Sequence, residues 1–322
     1  MSIIVTGAAG FIGMHVAQKL LQQGQDVIGI DNFNPYYDVG LKRQRWQQLV
    51  EQAGFTGIEA DLTNAGIYAQ LPTVDGIIHL AAQAGVRYAR ENPALYVDAN
   101  LKATTLLFDH VARQCPNVPV IYASSSSVYG RNSKIPFSED DPVNQPASLY
   151  AATKRACELT ADVYHHLYGL NLTGLRFFTV YGPQGRPDMA YWMFAKAILQ
   201  GKPITLFDGG QHKRDFTYID DIVTGILAAL NTAPQSTSHR IYNLGNNQPE
   251  VVRDLLAILE DKLGCKAVID EQPAGKDEVQ VTYANIDRAM RELNYKPQTR
   301  LTDGLGRFVD WYLPYYQQSA AA

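Results

Sequence analysis

The sequence predicts an α/β protein in which a doubly wound parallel sheet is followed by a smaller C-terminal lobe. Three observations lead there. Short apolar runs without period-two alternation recur through the first part of the chain, as strands buried on both faces require. Helical patterns separate these runs, as in βαβ units. A glycine-rich turn, GAAGFIG, leaves the first run and opens the first helix.

Taken in order, Ile3–Thr6 reads as a strand, Phe11–Gln23 as a helix and Asp26–Ile30 as the second strand. Val39–Ala53 continues as a helix and Gly57–Ala60 as a strand. Gly76–Leu80, Val118–Ala123 and Leu172–Phe177 complete the series of strands. Pro93–Arg113 and Leu149–Leu167 are the long helices between them. Past Gly182 the pattern loosens. Helices at Ala190–Gln200, Ile219–Leu230, Glu250–Leu263 and Thr302–Tyr312 are set off by Gly/Pro-rich stretches. The expected division is a sheet domain over 1–182 and a lobe over 183–322, with 210–245 returning to the sheet near Thr217 and Ile241.

A chain of 322 residues can bury a large core with an appendage. Its net charge of −4 argues against nucleic acid or an anionic membrane as the main partner. Cys115, Cys157 and Cys265 are far apart and odd in number, which suits free thiols in a reducing compartment. No apolar run reaches the roughly 18 residues of a membrane span, and MSIIVTG lacks the basic start of a signal peptide. The expectation is a cytoplasmic protein. No cluster has metal-ligand spacing.

The glycine turn points to a ligand. Gly7 makes a tight turn, Gly10 allows backbone to approach a pyrophosphate, and Gly13 lets helix and strand pack closely. Phe11 and Ile12 start a helix whose free N–H groups face the phosphates. Asp31, 18 residues beyond Gly13, ends the second strand and suits the adenosine ribose hydroxyls of NAD while repelling a 2′-phosphate. Asn32 follows it. Asp61 and Leu62 follow the third strand at the adenine edge, and the small Ala81 and Ala82 follow the fourth. His79 reads as a packed strand-end histidine. Lys42, Arg43 and Arg45 read as a solvated helix face.

Tyr150 and Lys154 stand four apart on a helix, which places phenol and ammonium on one face. A free phenol has a pKa of about 10. A neighbouring ammonium and a cationic nicotinamide both favour the phenolate, so Tyr150 suits a general base. Lys154 also suits the nicotinamide ribose. The run Ser124-Ser125-Ser126-Ser127 ends the preceding strand and offers hydroxyls to the same substrate group.

GAAGFIG, HLAAQAGVR, ASSSSVYG, the Tyr150/Lys154 pair, RFFTVYGP and RDFTYIDDI resemble the extended short-chain dehydrogenase/reductase family over nearly the whole chain. DNFNPYYDVGLKRQR, SLYAATKRACE and GLRFFTVYGPQGRPDMA are similar to its nucleotide-sugar epimerases acting on UDP-glucuronate at C4. The resemblance implies a Rossmann-like fold, bound NAD, a UDP-sugar substrate and a homodimer formed through the second apolar faces of Pro93–Arg113 and Leu149–Leu167. It also implies oxidation of C4 to a ketone and return of hydride to the other face, with Ser125, Tyr150 and Lys154 as the catalytic set. Ser127 stands close enough in sequence to share the role of Ser125.

In related dehydratases Ser126 and Ser127 are replaced by an Asp-Glu pair, and related decarboxylases carry Glu at Ser127. A carboxylate for a second chemical step is therefore missing. Ser126 and Ser127 are counted with the substrate site, although Ser124 and Ser126 equally suit backbone satisfaction at a strand end. A 4-keto uronate is a β-keto acid and loses CO₂ readily, so an epimerase must fix its carboxylate. Thr179, Arg186 and Ser127 are the expected clamp, and an ion pair with Asp188 is the alternative for Arg186. Arg214 matches the family's diphosphate contact and Asp277 its uridine-ribose acid. PAGKDEV departs from the family pattern there, with Lys276 beside Asp277. Arg87 is a further substrate or phosphate contact. The alternatives at this stage are a UDP-glucose or UDP-N-acetylglucosamine 4-epimerase, an inactive NAD-sensing regulator and a net oxidoreductase.

Overall fold

A computed structural model describes residues 1–232, 238–273 and 280–321, with side chains as far as 318. The strands are β1 (Ser2–Thr6), β2 (Asp26–Asp31), β3 (Phe55–Glu59), β4 (Gly76–His79), β5 (Val120–Ser125), β6 (Leu172–Phe177), β7 (Thr179–Tyr181), β8 (Pro203–Phe207), β9 (Lys213–Tyr218), β10 (His239–Leu244), β11 (Pro249–Val251), β12 (Val268–Gln272) and β13 (Val281–Thr282). The helices are α1 (Phe11–Gln22), α2 (Val39–Val50), α3 (Tyr88–Glu91), α4 (Pro93–Tyr96), α5 (Ala103–Gln114), α6 (Leu149–Tyr168), α7 (Ala190–Gln200), α8 (Ile219–Asn231), α9 (Val252–Leu263), α10 (Asp287–Leu293) and α11 (Leu301–Ala321).

Among the described residues, a seven-stranded sheet runs in the order β10-β6-β5-β4-β1-β2-β3. Every pairing in it is parallel. Its central strands are buried on both faces, which explains their unbroken apolar sequence. The order reverses between β1 and β4. In such sheets the crevice at the carboxyl ends of those strands is where ligands bind.

The remaining strands form two smaller sheets. β11, β9 and β13 pair side by side with β7 against β9, while β12 pairs β8. Ile241 pairs Gly174 within the main sheet. Thr217, expected on that sheet, instead pairs Val180 in the smaller one. Buried Asp215 accounts for the placement. Its carboxylate accepts from Asn246 N at 2.6 Å, Asn247 N at 3.2 Å, Ala284 N at 2.9 Å and Thr217 Oγ1 at 3.1 Å. Those bonds hold β9 beneath the loop that leaves β10.

The helix expected over Pro93–Arg113 is interrupted. A π-helical segment, Val97–Lys102, separates α4 from α5. It carries Asn100 into the interior, where its amide accepts from Gln83 N at 2.7 Å and donates to Thr153 Oγ1 at 3.0 Å. Glu250 and Val251, expected in a helix, are in β11, and α9 begins at Val252. No helix among the described residues is long and apolar enough to cross a membrane.

Candidate active site

The glycine turn is shaped by close backbone approach. Gly7 has φ +71°, and a Cβ there would lie 2.8 Å from Ala81 N. A Cβ on Gly10 would lie 2.9 Å from the Gly7 carbonyl oxygen, and one on Gly13 would overlap that oxygen outright. Gly10 precedes α1 without a side-chain cap, so the N–H groups of its first turn stay open to an anion. A cleft of about 980 Å³ opens over this turn and runs on to the serine run. A glycine cradle that side chains would fill, opening into a cleft of this size, fits a dinucleotide.

Asp31 ends β2 at the cleft. Its Oδ2 accepts from Ala9 N at 3.0 Å and its Oδ1 from Phe33 N at 2.9 Å. Burial pushes this carboxyl up, while those bonds and the nearby Lys42 and Arg45 pull it down. Asn32 Nδ2 donates to Asp61 Oδ2 at 2.8 Å. Burial raises the Asp61 carboxyl, but bonds from Thr63 and Asn32 outweigh it and hold the group low. Leu62, Ala81, Ala82, Phe11 and Ile12 complete this wall. His79 is the packed histidine expected: one ring nitrogen lies 2.8 Å from Thr6 Oγ1 and the other 3.1 Å from Thr104 Oγ1.

The solvated face expected for Lys42, Arg43 and Arg45 holds only for Arg43, which pairs with Glu59. Lys42 and Arg45 are buried. Lys42 Nζ donates to Asn34 O at 2.7 Å, and the Arg45 guanidinium spans Ala9 O, Tyr37 Oη and Gly185 O. Three oxygens from separate segments take the two Nη groups of Arg45, partners that solvent would otherwise supply, while its Nε is buried without a partner.

Opposite the glycine turn, Ser148 caps α6 by accepting from Ala151 N at 3.1 Å. That cap fixes the first turn, and with it Tyr150. The Tyr150 ring meets Tyr96 edge-on at 6.2 Å. Buried Lys154 donates from Nζ to Ala123 O at 2.9 Å, at the end of β5. Ser125 Oγ accepts from Ser127 N at 3.2 Å and so opens the short turn Ser126–Tyr129. Ser124, expected to satisfy backbone, donates instead to the buried Glu158 carboxylate at 2.6 Å. β5 delivers Ser124 beside α6, where the Glu158 carboxylate is the nearer acceptor.

The structure brings Ser125, Ser126, Ser127, Tyr150 and Lys154 into one cleft with Gly7, Gly10, Gly13, Asp31, Asn32 and Asp61. Arg87, Thr179, Arg186 and Arg214 line the same cleft. Arg186 also makes the ion pair named as its alternative. Its Nε lies 3.0 Å from Asp188 Oδ1 and its Nη2 2.6 Å from Asp188 Oδ2. Both side chains are only partly exposed. Arg214 donates to Lys213 O at 3.0 Å. Asp277 and Lys276 lie outside the described residues.

Sequence reasoning missed Asn100, Tyr36 and Glu158. A lone Asn within the helical stretch Pro93–Arg113 was the available signal for Asn100. Glu158, one turn past Lys154, was a charge on the same buried face of that helix. Tyr36 lies within DNFNPYYDVGLKRQR, but its partner Asp188 is 152 positions away and could not be read from that motif.

A family profile described as the NAD dependent epimerase/dehydratase family matches residues 3–245. The chain is 51% identical over 335 residues to UDP-glucuronate 4-epimerase 2 of Arabidopsis thaliana, covering 99% of this chain and 77% of the relative. Its fold is similar to the crystal structure of UDP-glucuronic acid 4-epimerase from Bacillus cereus in complex with UDP-glucuronic acid and NAD. That likeness has a TM-score of 0.91 and 37% identity over 98% of this chain and 100% of the other. UDP-glucose 4-epimerase of Thermotoga maritima is more distant, at 27% identity and a TM-score of 0.86, over 98% of this chain and 100% of that one. With three quarters of its length matched by one profile and half its residues shared with a curated relative, the chain belongs to the NAD dependent epimerase/dehydratase family.

Proposed function

We propose that this protein interconverts UDP-glucuronate and UDP-galacturonate by NAD-dependent epimerisation at C4. The observation that carries the reading is the meeting of Tyr150, Lys154 and the serine run with Arg186 in one cleft. The glycine turn, Asp31, Asn32 and Asp61 would hold NAD, with the small Ala81 and Ala82 leaving room for it. NAD when bound accepts and returns the hydride at sugar C4.

The chain's own residues handle protons and position. Tyr150 takes the proton of the sugar 4-OH and later returns it to the same oxygen. Lys154, held against Ala123 O, places positive charge beside that phenol and favours its ionised form. Ser125 donates to the same sugar oxygen and orients it. Ser127, Thr179 and Arg186 grip the C6 carboxylate, so that the C5–C6 bond stays out of line with the C4 carbonyl π system. Arg214 and Asp277 hold the diphosphate and uridine ribose, and Arg87 and Ser126 complete the substrate wall. The serine run adds hydroxyls and no carboxylate, so it offers no base for a second step.

Residues 1–182, with parts of 210–245, form the NAD-binding unit in this reading, and 183–322 mainly the nucleotide-sugar lobe. Leu159, Val163 and Leu167, which stand four apart on one face of α6 and are about half exposed or more, support a homodimer through that helix. Free thiols at Cys115, Cys157 and Cys265 suit the cytoplasm. Incubating the protein with UDP-glucuronate and following the sugar by NMR tests the function. UDP-galacturonate should form, whereas turnover of UDP-glucose alone would replace the reading.

A further inference from the structure

The segment that bears Arg186 is pinned on both sides by side chains from the stretch after Asp31. Ahead of it, wholly buried Arg45 donates from Nη2 to Gly185 O at 2.7 Å and from Nη1 to Ala9 O at 3.1 Å in the glycine turn. Behind it, Tyr36 Oη donates to Asp188 Oδ2 at 2.8 Å. Asp188 in turn takes the Nε and Nη2 edge of Arg186.

A guanidinium has two bidentate edges. With the Nε–Nη2 edge held by Asp188, the Nη1–Nη2 end is the one left to a second carboxylate. The backbone at Gly185 is fixed by Arg45, so the direction of that free end depends on how Asp188 is held. We propose that Tyr36, acting through Asp188, is a positioning residue that aims the free edge of Arg186 at the substrate's C6 carboxylate and so selects a uronate. The proposal rests on the functional reading above and deepens it. Two features support the arrangement. Burial, reinforced by Asp188, keeps the Tyr36 phenol protonated and hence a donor. Although burial works against ionisation of Asp188, Arg186 outweighs it and holds that carboxyl below its ordinary range.

A loosened fork has a chemical signature. In the 4-keto sugar the C5–C6 bond can break when it aligns with the carbonyl. Its electron pair passes into the C4 carbonyl as an enolate, CO₂ leaves, and C5 takes a proton from water. A poorly aimed Arg186 should therefore raise KM for UDP-glucuronate and divert turnovers to CO₂.

The test compares the parent with Tyr36→Phe, Asp188→Asn and the double variant, using UDP-glucuronate labelled with ¹³C at C6. Tyr36→Phe should raise KM and the CO₂ released per epimerised sugar about tenfold, the scale of one hydrogen bond to a charged group. It should leave the bound dinucleotide at the parent level. The double variant should be no worse than Asp188→Asn alone, because residues acting in series are not additive. Parent-like KM and CO₂ yield in Tyr36→Phe, or additive effects in the double variant, overturn the proposal alone. Failure of the parent itself to form UDP-galacturonate overturns the functional reading and this proposal with it.

Discussion

Ser124 Oγ donates to Glu158 Oε1 at 2.6 Å, joining the strand that ends in the serine run to the helix that bears Tyr150 and Lys154. The same carboxylate takes Arg176 Nε at 2.8 Å, Arg176 Nη2 at 3.0 Å and Arg155 Nη1 at 2.9 Å. Arg176 continues to Tyr129 Oη at 3.0 Å, and that phenol donates to Asn243 Oδ1 at 2.6 Å. β5, β6, β10 and α6 are thus tied behind Tyr150 and Lys154 by one buried network.

Glu158→Gln should destabilise the fold strongly. Burial opposes ionisation of Glu158, yet Arg176, Ser124 and Arg155 hold its carboxyl below the ordinary range. Removing that charge leaves Arg176 buried without its counter-ion, a loss of roughly 3–5 kcal/mol. Urea unfolding of parent and variant measures it, and a change within about 0.5 kcal/mol would mean the network bears little strain.

In the proposed reading Tyr150→Phe removes the proton acceptor and little else, since the ring keeps its contact with Tyr96. Turnover should fall roughly a thousandfold, within the usual range for a general base. The dinucleotide content of the purified protein should match the parent. Initial rates and absorbance of the extracted cofactor check both halves.

Gly13→Ala places a methyl group against the Gly7 carbonyl, which is backbone and cannot swing aside. Helix α1 must then move off the turn. The expected outcome is loss of bound dinucleotide and a lower melting temperature, read by cofactor extraction and thermal unfolding.

His79 makes stability depend on pH. Burial, with a smaller effect of Lys154, lowers its pKa from 6.5 to about 3. Between those values the unfolded chain holds a proton on this ring and the folded chain does not. Stability is therefore lost as pH falls through that window and is unaffected by this group above it. The contribution should be on the order of 1–3 kcal/mol between about pH 7 and about pH 5. Urea midpoints across that range should fall with pH in the parent and change less in His79→Gln.

What could be read from the sequence followed from local rules. The central strands are apolar on both faces, so β1, β4 and β6 were visible as unbroken runs. The glycine turn and Asp31 have spacings dictated by one strand-turn-helix unit. β8 was missed because its burial alternates and it lies in a two-stranded sheet outside the main one; β7, β11 and β13 are only two or three residues long. Lys42 and Arg45 were misread because a charge on a helix is ordinarily solvated. Their burial depends on carbonyls from loops that the helix pattern does not reveal, Asn34 for Lys42 and Gly185 for Arg45. The Arg186–Asp188 pair was visible at a separation of two, whereas the role of Tyr36 arises only when the fold closes.

The central claim is that the hydrogen on sugar C4 leaves and returns within the cleft. UDP-glucuronate carrying deuterium at C4, mixed with purified protein and no added cofactor, tests it most directly. The account predicts UDP-galacturonate that keeps its deuterium at C4. Product with the label washed into solvent, or NADH accumulating in step with a keto sugar, would contradict it.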